Sequence, residues 1–223
     1  MTFSSFASRE EAGRHLARRL KEMNIEDSVV LALPRGGVPV ASEVARELHA
    51  PLDVLLVRKI GVPWQAELAV AAIVDGGSPD LVVNEGVMAA VGISRAEIDD
   101  LARPQLQEIE RRRGIYIGDR EPAVLRDKTV IVVDDGIATG TTAKAALQAL
   151  RRRAPRKLIL AVPVGSPDAI ADLQRCADQI ICLHTPANFY AIGEFYRDFH
   201  QLSDRDVIEA LARLATDQGT SHV

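Results

Sequence analysis

The chain is short of cysteine, of aromatics and of net positive charge, and each shortage removes a class of function. Among 223 residues only Cys176 and Cys182 are cysteine, with no histidine or further cysteine at metal-ligand spacing. A zinc module and a disulfide framework are therefore excluded, and two reduced thiols in a cytoplasmic protein are the expectation. Five histidines lie scattered along the chain, so no catalytic triad or metal set can be assembled from the pattern. Lys and Arg number 27 against 31 Asp and Glu, a formal net charge of −4, which argues against nucleic acid as a partner. No apolar run approaches the ~20 residues needed to cross a bilayer, so no membrane partner is expected. The N-terminal stretch MTFSSFASREEAGRHLARRL lacks the apolar centre of a signal peptide and reads as an amphipathic helix. The nucleotide pattern GxxxxGK[ST] is missing as well, because no lysine follows Gly140.

What the chain does contain is an alternation of strand and helix, the pattern of βαβ units in a mostly parallel sheet. Helix is expected at 8–23, strand at 28–33, helix at 37–49, and strands at 52–58, 67–74 and 81–84. A helical excursion follows at 85–113, its main helix opened by a capping box at Ser94 and Glu97. Beyond it come a strand at 129–134, a helix from about Thr142, a strand at 157–163, a helix at 168–176 and a strand at 179–183. A final amphipathic helix begins near Ser203. The length suits one α/β domain over residues 1–223, with a helical insertion at about 85–125.

Residues Val130 to Thr142 read VIVVDDGIATGTT and carry the most information. Four consecutive β-branched apolar residues, Val130 to Val133, mark a strand buried on both faces. Asp134 and Asp135 follow at its carboxyl end, then a loop of Gly, Ala and Thr that runs into a helix. Ligands of open α/β sheets sit at that end of the strands, and a helix N-terminus presents backbone N–H groups to an anion. The segment therefore offers a phosphate cradle beside two carboxylates able to accept from sugar hydroxyls or to hold Mg²⁺.

Three further segments stand out. Leu33-Pro34-Arg35-Gly36-Gly37 ends another apolar strand; its glycines allow close backbone approach to an anion, and Arg35 adds a forked cation. Arg58 and Lys59 end the expected 52–58 strand and lead into Ile60-Gly61-Val62-Pro63, with Glu67 further on. Residues 188–199 gather most of the chain's aromatics beside Asp198. The three-arginine run Arg111 to Arg113, with Tyr116 nearby, reads as a solvated helix end that could meet an anion only if the excursion folds over the site.

The order of these parts resembles the type I phosphoribosyltransferases, most closely a group of bacterial and archaeal members with a long helical insertion. The resemblance spans most of residues 28–200. It implies the type I phosphoribosyltransferase fold, an open, mostly parallel sheet flanked by helices, with a small C-terminal hood at about 184–200. It further implies transfer of ribose 5-phosphate from PRPP to an unidentified base or amine, with Mg²⁺ as cofactor. Asp134 and Asp135 would then face the ribose hydroxyls and Mg²⁺, directly or through water, while Ala138, Thr139, Gly140, Thr141 and Thr142 wrap the 5′-phosphate. Arg35, Gly36 and Gly37, with Arg58 or Lys59 from a mobile loop, would hold pyrophosphate. Arg35, Arg58 and Lys59 would also stabilise the charge that departs. Phe189, Tyr196 and Asp198 become the candidates for contacting the base, and Glu67 a weaker candidate near Mg²⁺. Where 6-oxopurine enzymes carry an additional Asp in the loop this chain has Ala138, a pattern more similar to adenine and orotate enzymes. The family commonly forms dimers, so a homodimer is the state the resemblance suggests. The rival readings are a non-catalytic PRPP- or nucleotide-binding regulator and a hydrolase or phosphorylase on the same scaffold.

Overall fold

The computed structural model describes residues 5–75, 79–118 and 120–219. In chain order the elements are α1 (Arg9–Lys21), β1 (Ser28–Ala32), α2 (Gly37–Leu48), β2 (Leu52–Val54), β3 (Leu56–Val62), β4 (Gln65–Asp75), β5 (Pro79–Val83), α3 (Glu85–Val91), α4 (Arg95–Tyr116), β6 (Thr129–Val133), α5 (Thr141–Arg151), β7 (Lys157–Val164), α6 (Pro167–Leu173), β8 (Gln179–His184) and α7 (Asp204–Gly219). A 3-10 turn covers Ile192–Phe195.

Five of the strands form a parallel sheet in the order β2-β1-β6-β7-β8. Counted along this sheet alone the order is 2-1-3-4-5, so the direction of winding reverses between β1 and β6. Such a reversal opens a crevice at the carboxyl ends of the two strands, because the helices that follow them leave to opposite faces. β6 is central and buried at all five positions, as its unbroken apolar run requires. Its side chains alternate: Ile131 and Val133 join Val30, Ala32, Val38 and Val44 on the α2 face, while Val130 and Val132 join Leu147 and Leu150 on the α5 face.

The expected 52–58 strand is in fact two. β2 ends at Val54, Leu55 N–H still donates to the Ala32 carbonyl at 2.9 Å, and the chain then leaves the sheet. β3 pairs antiparallel with β4, and β4 with β5, in a separate three-stranded sheet. An apolar run marks a strand without naming its partner, so hydrophobic pattern alone could not reveal the change of partner. Val62 faces Gln65, which leaves Pro63 and Trp64 as a two-residue hairpin turn.

α4 lies on one face of this second sheet, burying Ile98, Ala102 and Ile109 in the cluster that holds Ile60, Val62 and Ile73. Its capping box forms as expected, Ser94 and Glu97 satisfying each other's backbone N–H. The helix continues through Gly114 to Tyr116, past the arginine run where the sequence suggested its end. Val207, Leu211 and Leu214 of α7 close the same cluster. Both cysteines are unbridged, and burial pushes the Cys182 thiol up to about 11. No helix among the described residues is long and apolar enough to cross a membrane.

Candidate active site

Two loops meet in the crevice. After β1, Leu33 N–H donates to the Val133 carbonyl at 2.9 Å, holding the Pro34-Arg35-Gly36-Gly37 loop against the end of β6. The Pro34–Arg35 peptide is cis. A Cβ on Gly36 would sit 2.0 Å from Oδ2 of Asp135, and one on Gly37 would sit 2.6 Å from the Val133 carbonyl oxygen. Gly36 is therefore there because the Asp135 carboxylate touches the loop, and Gly37 because the backbone of Val133 and Asp134 does.

The acids are held differently. Asp135 is buried, and Arg9 Nε donates to its Oδ2 at 2.8 Å. The same guanidinium donates from Nη1 to the His200 carbonyl at 3.0 Å and lies 4.0 Å from the centre of the Phe199 ring. Asp134 is half-buried, and its Oδ1 accepts from the Asp135 N–H at 2.8 Å. Burial, reinforced by the neighbouring Asp135 charge, pushes the Asp134 carboxyl well above the ordinary carboxylate range. Burial also raises Asp135, with Arg9 pulling the other way.

Below the acids the chain turns into α5. Gly136 is pressed under Ile192, and Ile137 bridges to Gly165. Gly140 takes a left-handed φ of 73° and opens α5, whose first N–H groups have no side-chain cap. Ala138, Thr139 and Thr141 are exposed around that terminus, and Thr142 is half-buried. The Thr139 and Thr141 hydroxyls lie 3.3 Å apart, while Ser166 Oγ fixes the loop by donating to the Ala138 carbonyl at 2.7 Å. The resulting surface combines a helix N-terminus whose N-cap residue offers no side chain, the helix dipole and a carboxylate within one short segment.

Arg58 and Lys59 do not end a strand of the parallel sheet; they lie within β3, on opposite faces of the hairpin sheet. Arg58 Nε donates to Gln105 of α4 at 3.1 Å. Lys59 instead borders a cavity of about 320 Å³ between the hairpin and α5, with Thr141, Lys144 and Gln148 on the far wall. The two cations therefore cannot act as a pair, because adjacent strand residues point apart. The Glu67 side chain lies outside the described residues.

Of the aromatic candidates, Tyr196 has no face to offer a base. It is 5% exposed, stacks on Phe199 and donates its hydroxyl to the Asp135 carbonyl at 2.5 Å. Phe189 is half-buried and stacked on Phe195; Asp198 is exposed and contacts His200 Nδ1 at 2.9 Å. The arginine run is not simply solvated either. Arg111 and Arg112 share Glu108, while Arg113 makes two hydrogen bonds, 2.9 and 3.0 Å, to the buried Asp75. Arg35 approaches Asp204 of α7 at 3.9 Å.

Arg9 and Asp204 escaped the sequence reading. Arg9 carried a usable signal: it stands at i−3, i−4 and i−7 to Ala12, Gly13 and Leu16, so it shares the buried stripe of α1. A charge on an apolar stripe asks for a buried partner. Asp204 carried none, since an acid in the first turn of a helix is ordinary capping chemistry.

Comparison with known proteins gives a consistent picture. A family model described as "Phosphoribosyl transferase domain" matches residues 7–200. Proteins from two strains of Mycobacterium tuberculosis, each named "Putative phosphoribosyl transferase", are 47% identical over 212 residues, which is 95% of this chain. The chain spans about half, 47%, of the length of these curated relatives. Among solved structures, the crystal structure of a Thermus thermophilus protein, TT1426, superposes with a TM-score of 0.84 at 38% identity, covering 94% of this chain and 99% of that one.

Proposed function

The chain belongs to the phosphoribosyl transferase family, and from that membership we propose that it moves ribose 5-phosphate from PRPP to a nitrogen nucleophile, with pyrophosphate leaving. The observation that carries this reading is the contact of Gly36 and Gly37 with Asp135 and Asp134. It makes one continuous surface of a glycine loop, a carboxylate and an uncapped helix N-terminus, a run that matches pyrophosphate, ribose and 5′-phosphate in sequence.

In this reading the 5′-phosphate takes the N–H groups around Thr139, Gly140, Thr141 and Thr142, with the Ala138 loop folded about it. The amides of Gly36 and Gly37 receive pyrophosphate, and Arg35 and Arg58 supply charge on that side. Lys59, on the other face of the hairpin, turns towards the phosphate loop instead. Asp134 accepts from the ribose hydroxyls; Asp135, neutralised by Arg9, shapes the floor. The C1–oxygen bond breaks with its electron pair leaving on pyrophosphate, and the nitrogen of the acceptor bonds to the opposite face of C1. Shielding from water matters because an oxocarbenium-like C1 would otherwise be hydrolysed.

A Mg²⁺ ion fits the donor set. No cluster of three or more metal-ligating side chains exists among the described residues. The ion takes only one or two protein carboxylates when substrate phosphates and water complete its shell, and Asp134 supplies one. When bound it would neutralise pyrophosphate charge beside Asp134, with Asp135 reaching it through water. On the acceptor side Phe189 and Asp198 remain candidates. Ala138 in place of an acid supports an acceptor other than a 6-oxopurine. A homodimer and a cytoplasmic setting complete the reading.

One observation favours a second reading, a PRPP-binding regulator: Asp135 and Arg35 already have internal partners, Arg9 and Asp204. The test is to incubate the protein with PRPP, Mg²⁺ and a panel of bases while following pyrophosphate. Release that requires one base supports transfer. PRPP binding without turnover supports the regulator, and release with water alone supports a hydrolase.

A further inference from the structure

Arg35 from the loop after β1, and Arg111 and Tyr116 from α4, converge on one carboxylate at the start of α7. Arg35 Nη1 lies 3.9 Å from Asp204 Oδ1 and Arg111 Nη2 lies 3.8 Å from Oδ2, while the Tyr116 hydroxyl donates to Oδ1. Neither arginine distance is that of a formed hydrogen bond, so both guanidiniums keep donors to spare. Arg111 divides the rest of its contacts with Arg112, both resting on Glu108. Three guanidiniums, those of Arg35, Arg111 and Arg112, thus share two carboxylates, and a positive charge is left over at the edge of the glycine loop. The group is accessible: the side chains of Arg35, Asp204 and Arg111 are 31, 32 and 50% exposed.

Tyr116 makes Asp204 replaceable. Burial and the adjacent Asp204 raise the phenol to about 12, so it stays a donor at neutral pH. If both arginines turned away, the carboxylate would still hold that hydrogen bond and its contact with water. It would not be stranded, which is what makes releasing a charged group costly.

We propose that Arg35 and Arg111 form an anion site for a diphosphate group, and that Asp204 is the internal stand-in which the bound anion displaces. The inference rests on the phosphoribosyl reading and extends it, since it makes the insertion helix α4 part of the pyrophosphate site. Two forked cations on separate elements match a ligand with two phosphoryl groups, each taking one guanidinium. A lone orthophosphate must compete with Asp204 for both arginines at once and gains less from doing so. The site therefore discriminates by charge as well as by shape.

The test is calorimetric titration of the full chain and of Arg111→Met and Asp204→Asn with inorganic pyrophosphate, orthophosphate and ribose 5-phosphate. Arg111→Met is expected to weaken pyrophosphate by about tenfold or more, the loss of one charge-assisted contact, and to leave ribose 5-phosphate unchanged. Asp204→Asn is expected to tighten pyrophosphate severalfold and to narrow its advantage over orthophosphate. Unchanged pyrophosphate affinity in Arg111→Met, or weaker affinity in Asp204→Asn, overturns the inference while ribose 5-phosphate binding upholds the wider reading. Failure of the unaltered chain to bind either ligand overturns both.

Discussion

Arg9 at the start of α1 and Asp135 at the end of β6, 126 residues apart in sequence, form a buried ion pair at 2.8 Å. The pair joins the first helix to the motif at the centre of the sheet, and the stack on Phe199 ties the C-terminal segment to both. Removing one member of a buried pair typically costs about 3–5 kcal/mol, because the other charge is left without compensation. Arg9→Met is therefore expected to lower stability on that scale in urea unfolding. Arg9→Lys, which keeps the charge without the fork, should fall between. A loss below about 0.5 kcal/mol in Arg9→Met would show that Asp135 is satisfied by something else.

Gly36 is expected to tolerate no side chain. A methyl there meets the Asp135 carboxylate at 2.0 Å, so Gly36→Ala must push the loop off the acid. Overpacking of this kind costs about 1–3 kcal/mol, and PRPP affinity should fall with it. Gly114 is the control. It lies inside α4 with nothing within 4 Å, so Gly114→Ala should stabilise the fold by up to about 1 kcal/mol. Equal effects at the two positions, read by denaturant midpoints, would contradict the contact.

Asp134 trades stability for its place in the crevice. The unfolded carboxyl titrates near 3.8, whereas in the fold burial and Asp135 hold its proton to higher pH. Between those two values the native state binds more protons, so stability falls as pH rises through the window. Asp134→Asn keeps the Oδ1 that accepts from Asp135 N–H and removes the charge. It should raise the unfolding midpoint at pH 7, with the gain vanishing below pH 3.8. A gain that persists in acid would assign the effect to packing.

The same substitution separates the two acids functionally. With Asp135 already paired to Arg9, Asp134 is the acid that the proposed function assigns to the sugar hydroxyls. Asp134→Asn alone should then weaken Mg²⁺-dependent PRPP binding at least about tenfold, as expected for losing hydrogen bonds to a charged group. Asp134→Asn with Asp135→Asn together should abolish it. Undiminished calorimetric affinity in the double variant would remove the phosphoribosyl assignment.

Trp64, the only tryptophan, stands at the turn of the β3–β4 hairpin and is 66% exposed. If the hairpin closes over bound PRPP, its emission should shift to the blue and become less accessible to acrylamide. An unchanged spectrum at saturating PRPP and Mg²⁺ would leave closure to some other segment.

Much of this arrangement could be read from the chain. The apolar runs of β1 and β6, the acids and glycines that end them and the capping box of α4 are local signals, written in neighbouring residues. The hairpin was harder. Leu56 to Val62 pairs two apolar residues with two cations, and nothing in that pattern says that the partner is β4 rather than β1. Arg58 and Lys59 looked like one basic unit because they are adjacent; in a strand, adjacency puts side chains on opposite faces. Tyr196 resembled a base-stacking residue for a related reason, since aromatic density marks a packed cluster as readily as an open one.

The sequence by itself determined the family, the mostly parallel core and the glycine–threonine loop that runs into α5. These follow from backbone geometry, which short runs of residues specify. Tertiary structure decided the charges. Whether Asp135 is free or bound to Arg9, and whether Arg35 is free or near Asp204, depends on α1 and α7, helices remote in sequence that folding brings over the crevice. Electrostatic pairing is a matter of distance in space, which short runs of residues do not specify.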